Sequence, residues 1–314
     1  FIYALVAAGL SLIFGLMEIV NFAHGEFMML SMYTTFWLYT LFGLDPLFAI
    51  PICIALLFVI GVVTHYGIIR HILDAPMLVQ ITATFGLAIF LRSLAQFLWS
   101  ADYRVINDPI VSGRIEIWGI YLGLPQVVAS AGCLLAFGFL YYFVNRTETG
   151  IALQATAQDR EAAGLMGIQT DRMFALGWGI GAACVGVAGA LISSYYMVFP
   201  DVGIIFALLA YVTVAMGGFG SLIGALIAGI AIGLIEAAGA ILVHADLHRS
   251  VSEETEELLP LLAEMAPNAP ILPLLFDTSS KIMDSSFFYQ FHGHDYFYYH
   301  VLVGGGSYTN RLNC

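Results

Sequence analysis

Residues 17 to 30 read MEIVNFAHGEFMML, and this stretch decides what kind of protein the chain is. Two acids, a His and an Asn stand between apolar segments, in a chain with 60% hydrophobic and 10% charged residues and a mean hydropathy of +0.89. Soluble domains carry about 25% charged residues, so the composition is that of an integral membrane protein. An unpaired Asp at membrane depth costs on the order of 2.5 to 3.5 kcal/mol on insertion scales. Glu18, His24 and Glu26 are therefore expected to face protein or water and to be paired, and with Asn21 they are the candidate residues of this stretch. Two readings stand side by side. Asn21 and His24 can tie an interrupted backbone, with Gly25 allowing a bend and Glu26 opening the next helix at its positive end. Alternatively, the four line a solute path.

Outward from this stretch, apolar runs near the roughly 20 residues needed to span a bilayer recur at 27–44, 46–63, 77–99, 117–144, 174–198 and 222–243. The run 203–216 is ambiguous. FIYALVAAGLSLIFGL reads as a helix whose beginning is missing, because the chain opens in mid-run and lacks the basic start of a signal peptide. The expected fold is an all-α, polytopic membrane helix bundle with about seven or eight transmembrane or re-entrant helices and a truncated N-terminus. Loops are expected at 42–48, 70–76, 100–116 and 198–203, where Gly, Pro and charge cluster. GWGIGAACVGVAGAL (177–191) and GGFGSLIGALIAGIAIG (217–233) place small residues three and four apart, which lets helix backbones approach closely in lipid. A phosphate-cradling role for GGFGSLIG is disfavoured, since no Lys follows and no strand precedes.

The one long polar interruption, 145–173, is patterned. Ile151, Ala152, Ala155, Ala162, Ala163 and Met166 recur near helical spacing, Asp159 is placed to cap a short helix, and Gly167 to end it. An apolar face of Ala and Gly fits docking into a foreign groove; interfacial helices usually carry bulkier apolar side chains and more Lys or Arg. Arg70, Arg146, Arg160 and Arg172 fall on one side and Arg104 and Arg114 on the other, which puts the 145–173 loop in the cytoplasm.

Beyond residue 243 the pattern changes. Nine acids stand against Arg249, Lys281 and Arg311, and Pro267, Pro270 and Pro273 interrupt the apolar stretch. The expected division is a transmembrane domain at 1–243 and an atypical acidic, aromatic tail at 244–314, outside the bundle and without a closing span, with a short helix beginning after Ser252. His292, His294, Asp295 and His300, or His244, Asp246 and His248, are a disfavoured metal reading, because clustered His alone sets no geometry. The cysteines show no paired spacing. No metal site and no cofactor is expected.

YALVAAGLSLIFGLMEIVNFAHGEFMML resembles the amino-terminal signature of the permease subunits of branched-chain amino acid ABC importers of the high-affinity Leu/Ile/Val type. ETGIALQATAQDREAAGLMGIQTDRMFAL is similar to that family's coupling loop, and GALISSYYMVFPDVG and VAMGGFGSLIGALIAGIAIGLIEA to its later helices, so the resemblance covers 1 to about 243. It implies a multi-pass subunit of the bacterial inner membrane, with a second permease subunit, two cytoplasmic ATPases and a periplasmic solute-binding protein as partners, a small-molecule substrate, and no nucleic acid. It also implies that Gly150, Ala152, Ala155, Ala157, Asp159, Ala162, Ala163, Leu165, Gly167 and Ile168 form the region that enters the ATPase groove. Gln154 stands where the family often has Arg. Urea or short amides are the next substrates to consider. A proton-coupled carrier relaying through Glu18, His24, Glu26 or Glu236 has no need of a docking loop, and a membrane enzyme would need a nucleophile that NFAHGE lacks. No Walker motif is present, so ATP hydrolysis falls to the partners.

Overall fold

The computed structural model describes residues 1–107, 109–117 and 120–263. The helices are α1 (Ile2–Met17), α2 (His24–Phe42), α3 (Pro46–Thr64), α4 (Arg70–Ile72), α5 (Met77–Trp99), α6 (Leu124–Arg146), α7 (Glu148–Gln158), α8 (Arg160–Leu165), α9 (Thr170–Ile192), α10 (Val202–Gly217) and α11 (Leu222–Ala263). A π turn, His65–Ile69, joins α3 to α4 without a break. Among the described residues five helices are long and apolar enough to cross a membrane: Pro46–Ile72, α5, α6, α9 and the first part of α11, Leu222–Ala240. The chain is a polytopic helical membrane protein.

The chain divides into two compact units, Phe1–Ala237 and Ala238–Cys314. In the first, α9 is the central helix, with 83% of its apolar window buried. Its glycines explain why. A Cβ on Gly181 would lie 2.9 Å from the Gly9 carbonyl oxygen of α1, and one on Gly186 would lie 3.0 Å from the Cys53 oxygen of α3. Backbone thus approaches backbone, as dispersion-driven packing in lipid requires. Gly61 of α3 faces the Trp178 carbonyl and Ala182 in the same way. α11 begins against α1, where a Cβ on Gly229 would lie 2.6 Å from the Ala4 Cα.

One end of this unit gathers the α2–α3 turn, the stretches around Arg104 and Ile110, and the chain after α9. Asp45 caps α3 through Leu47 N (3.0 Å) and also accepts from Ile110 N (2.7 Å), while Arg104 and Val198 exchange backbone hydrogen bonds of 2.9 and 2.8 Å. The other end gathers α4, α7 and α8, held by an Arg160–Asp74 ion pair at 3.0 Å. The expected sidedness of the 64–76 and 145–173 segments is thus met.

Several boundaries differ from expectation. The run 117–144 does not begin as a helix: β1 (Arg114–Ile117) and β2 (Ile120–Gly123) pair antiparallel, with Arg114 opposite Gly123, and α6 starts at Leu124 with Pro125 in its first turn. RIEI alternates, and the two strands share the β-branched Ile115, Ile117 and Ile120 and the aromatic Tyr121, a strand pattern that the apolar run obscured. The run 174–198 ends as helix at Ile192, and Val198 belongs to the Arg104 bridge. The run 27–44 corresponds to α2, which starts three residues earlier at His24 and is not among the five spanning helices, because Glu26 together with its Tyr, Thr and Ser residues lowers its hydropathy. Residues 203–216 do form a helix, α10.

In the second unit, α11 continues to Ala263, so no separate helix starts after Ser252. Glu and Leu are good helix formers, and a Ser in their midst is no cap when the preceding residues are already helical. Residues 264–314, and with them His292, His294, Asp295 and His300, lie outside the described residues.

Candidate functional site

α1 ends at Glu18, a non-Gly residue in the left-handed region (φ 55°) whose N–H bonds back to the Phe14 carbonyl. From there the chain leaves helix until His24. The segment climbs beside α5: Thr84 Oγ1 donates to the Val20 carbonyl (3.0 Å), and Phe22 meets Phe85 edge-on at 6.2 Å. Backbone groups freed inside a membrane must find protein partners, and the polar residues of NFAHGE supply them. Asn21 Oδ1 accepts from Ala23 N (3.1 Å), the Asn21 carbonyl from His24 N (3.2 Å), and the Ala23 carbonyl from Glu26 N and Phe27 N. His24 Nε2 donates to the Val6 carbonyl of α1 at 2.9 Å, which places the ring proton on that nitrogen. Asn21 and His24 are fully buried.

Glu26 sits in the first turn of α2, 2% exposed, and its Oε1 accepts from the guanidinium of Arg92 on α5. Arg92 Nε also lies 3.7 Å from Asp201, the residue before α10. The second carboxylate oxygen of Glu26 has no hydrogen-bond partner among the described residues and faces Gly203. α2 and α10 begin at the same level, since a Cβ on Gly25 would occupy the Gly203 carbonyl and lie 2.8 Å from Ala207 Cβ. Of the four candidates, the structure brings Asn21, His24 and Glu26 into one buried break. Glu18 stands apart, exposed at the end of α1. Arg92 and Asp201 escaped the reading of the sequence. An Arg inside the otherwise apolar run of α5 was signal enough to single out the first, because an ionisable group within a span needs a partner.

At the other end, Thr147 caps α7 through Gly150 N (3.0 Å), and Asp159 caps α8 by accepting from Glu161 N and Ala162 N, both at 2.9 Å. Gly167, at φ 86°, follows the turn that ends α8. Removing the Asp159 carboxylate should therefore release two amides, at a local cost of about 0.5 to 2 kcal/mol. Hydrogen exchange at Glu161 and Ala162 should quicken in Asp159→Ala, with the α9 amides unchanged.

The faces of this element differ from the expected arrangement. Gly150 is buried against α6, where a Cβ would lie 2.7 Å from the Val144 Cα, and Ala163 is 5% exposed. These two point inward. Ala152, Ala155 and Ile168 are half-buried, whereas Ala157, Asp159, Ala162 and Gly167 are exposed and Leu165 and Met166 stand out at 89% and 83%. The outward surface is thus bulkier than an Ala and Gly stripe. Packing against α6 and α9 took the small residues, which only the tertiary structure could reveal. Among the described residues no group of His, Cys, Asp and Glu could hold a metal.

The family described as "Branched-chain amino acid transport system / permease component" matches residues 1–262. The chain belongs to that permease family. It is 30% identical over 248 residues to the high-affinity branched-chain amino acid transport system permease protein LivH of Escherichia coli K12, a match covering 75% of this chain and 80% of that protein. BraD of Pseudomonas aeruginosa, a permease protein of the same description, is 28% identical over 251 residues, covering 76% and 82%. A probable LivH of Methanocaldococcus jannaschii is 31% identical over 116 residues, 37% of this chain and 36% of that one. No solved structure matches. For a family of transport permeases, a helical break with buried ionisable groups and an exposed two-helix element at one end are the two features to explain.

Proposed function

We propose that the chain is the transmembrane permease subunit of an ABC importer that moves branched-chain amino acids into the cell across the bacterial inner membrane. Residues 1–243 form the permease domain in this reading, and 244–314 lie outside it. A second permease subunit, two cytoplasmic ATPases and a periplasmic solute-binding protein complete the assembly, and ATP is hydrolysed by the ATPases. The names of the relatives support the substrate. The observation that carries the coupling is the α7–α8 element: a capped pair of short helices anchored through Arg160–Asp74 that presents Ala162, Leu165 and Met166 outward at the bundle's end. Exposed apolar side chains on a rigid, buried base are what a helix-in-groove contact uses. A carrier driven by protons would have no work for such an element.

In the complete assembly, Ala162→Trp and Leu165→Asp should leave the permease in the membrane at its normal level and lower co-purification of the ATPase by at least about tenfold, the equivalent of losing one anchor of more than about 1.4 kcal/mol. ATP-driven leucine uptake should fall with it. Normal ATPase capture by both variants would refute the docking role, and uptake of urea or short amides in place of leucine would refute the substrate.

A further inference from the structure

The outward faces of the spanning helices are not alike. On α3 and α6 they carry Leu56, Val59 and Val63, and Leu134, Leu135 and Phe139, all exposed and all as apolar as lipid. α5 is divided. Phe90, Leu94 and Phe97, spaced four and three apart, make one exposed apolar side, whereas Gln96 shares a polar side with Ser93, three residues before it, and Arg92, four before it. Ser93 and Gln96 are exposed and make no side-chain hydrogen bond to the described residues. Arg92 is 25% exposed, and Asp201, across from it at the start of α10, is 53% exposed. Two measures agree on how deep this pair lies. Arg92 is about 10 Å short of the end of α5 at 1.5 Å per residue. Asp201 is three residues beyond Val198, which is bridged to Arg104 at that same end, so it lies at most about 11 Å below the bridge. A half-exposed carboxylate at this depth does not face hydrocarbon. Its charge is already offset by Arg92 at 3.7 Å, so what it lacks is hydrogen-bond partners rather than another ion, and water supplies those.

We infer that Gln96, Ser93 and Arg92 of α5 form the wall, and Asp201 the floor, of a water-filled vestibule about 10 Å deep, which opens at the end away from α7 and α8 and admits a small zwitterionic solute to the bundle. Glu26, buried behind Arg92, is sealed from it. This deepens the transport function proposed above and rests on it for the solute. The opposite side of α5 meets lipid, so the helix stands at the boundary between lipid and the path.

The test places single cysteines on α5 of the full-length chain, assembled with its permease, ATPase and binding-protein partners in right-side-out membrane vesicles. A membrane-impermeant methanethiosulfonate is added from outside; it reacts with hydrated thiolates and not with thiols held in lipid. Cys53, Cys133 and Cys184 are buried, and the wild-type chain sets the background. Ser93→Cys and Gln96→Cys should react at least about tenfold faster than Phe90→Cys and Leu94→Cys, which bracket the same depth on the apolar side. Modified Ser93→Cys should take up leucine severalfold more slowly than the same variant before modification. Equal rates at all four positions would overturn the vestibule: uniformly fast reaction places this level among lipid head groups, and uniformly slow reaction places it under lipid or a partner subunit. Unchanged uptake after complete modification of Ser93→Cys would overturn the passage of solute through it. Wild-type uptake separates the two claims. Leucine uptake alongside equal labelling removes the vestibule and leaves the transport function; no uptake of any branched-chain amino acid removes that function and the solute's passage with it, while the labelling still decides whether water is there.

Discussion

Gly25→Val should yield no assembled permease. A side chain at residue 25 would begin inside the Gly203 carbonyl and meet Ala207 Cβ at 2.8 Å, and both obstacles belong to the backbone-tight start of α10 rather than to a movable side-chain tip. Helix α2 would have to withdraw from α10 and carry with it the hydrogen bonds of the break. Overpacking a well-filled core commonly costs about 1 to 3 kcal/mol and more when backbone is struck, and here the Gly203 carbonyl is struck directly. Membrane-fraction immunoblots should show the variant at a few per cent or less of the wild-type level, whereas Gly138→Val, at a helical glycine with open space around it, should accumulate well above that. Equal accumulation of Gly25→Val and wild type would mean that α2 and α10 do not meet as described.

Glu26→Ala should have the second-largest effect. It strips Arg92 of its buried partner, and truncating one member of a buried pair costs about 3 to 5 kcal/mol. Asp201, more exposed and 3.7 Å from Nε, cannot replace it. The assembled fraction should drop steeply, and the double variant Glu26→Ala, Arg92→Met should recover a large part of it, because removing both charges leaves nothing uncompensated. Uptake should not return with the double variant. Assembly and uptake both at wild-type levels in Glu26→Ala would show that the pair neither supports the fold nor serves the path.

How much of this was legible beforehand depends on the range over which each feature is determined. The place of the break at NFAHGE was readable because a local rule, polar groups at membrane depth, marks it. The Asp159 cap and the end of α8 just before Gly167 follow from residues within a few positions of each other and were read in the same way. Arg92 lies 66 residues from Glu26, and no local pattern says that the two meet. The inward turn of Gly150 and Ala163 has the same cause: a stripe of small residues suits a partner's groove and the neighbouring helix equally, and α6 and α9 were the nearer takers. The hairpin before α6 was hidden because hydropathy does not distinguish strand from helix over eight residues, and the length of α11 because acids and Ser252 look like a boundary only if the helix has not already started.

The π turn in the third helix is a correction of phase. Ala49, Cys53, Leu57 and Gly61 are buried four residues apart, and in a regular α-helix each such step advances the facing direction by about 40°. Continued through His65 and Ile69, that drift would swing the stripe well away from its neighbour. The wider turn at His65–Ile69 takes up more residues per revolution and turns the pattern back. His65 and Ile69 therefore stay buried, and His65 Nε2 meets Asp171 of α9 at 3.2 Å. The helix can obey a four-residue rhythm in its sequence over its whole length and still keep one side to α9, so that its lower end, beside α7 and α8, remains in register with its upper end.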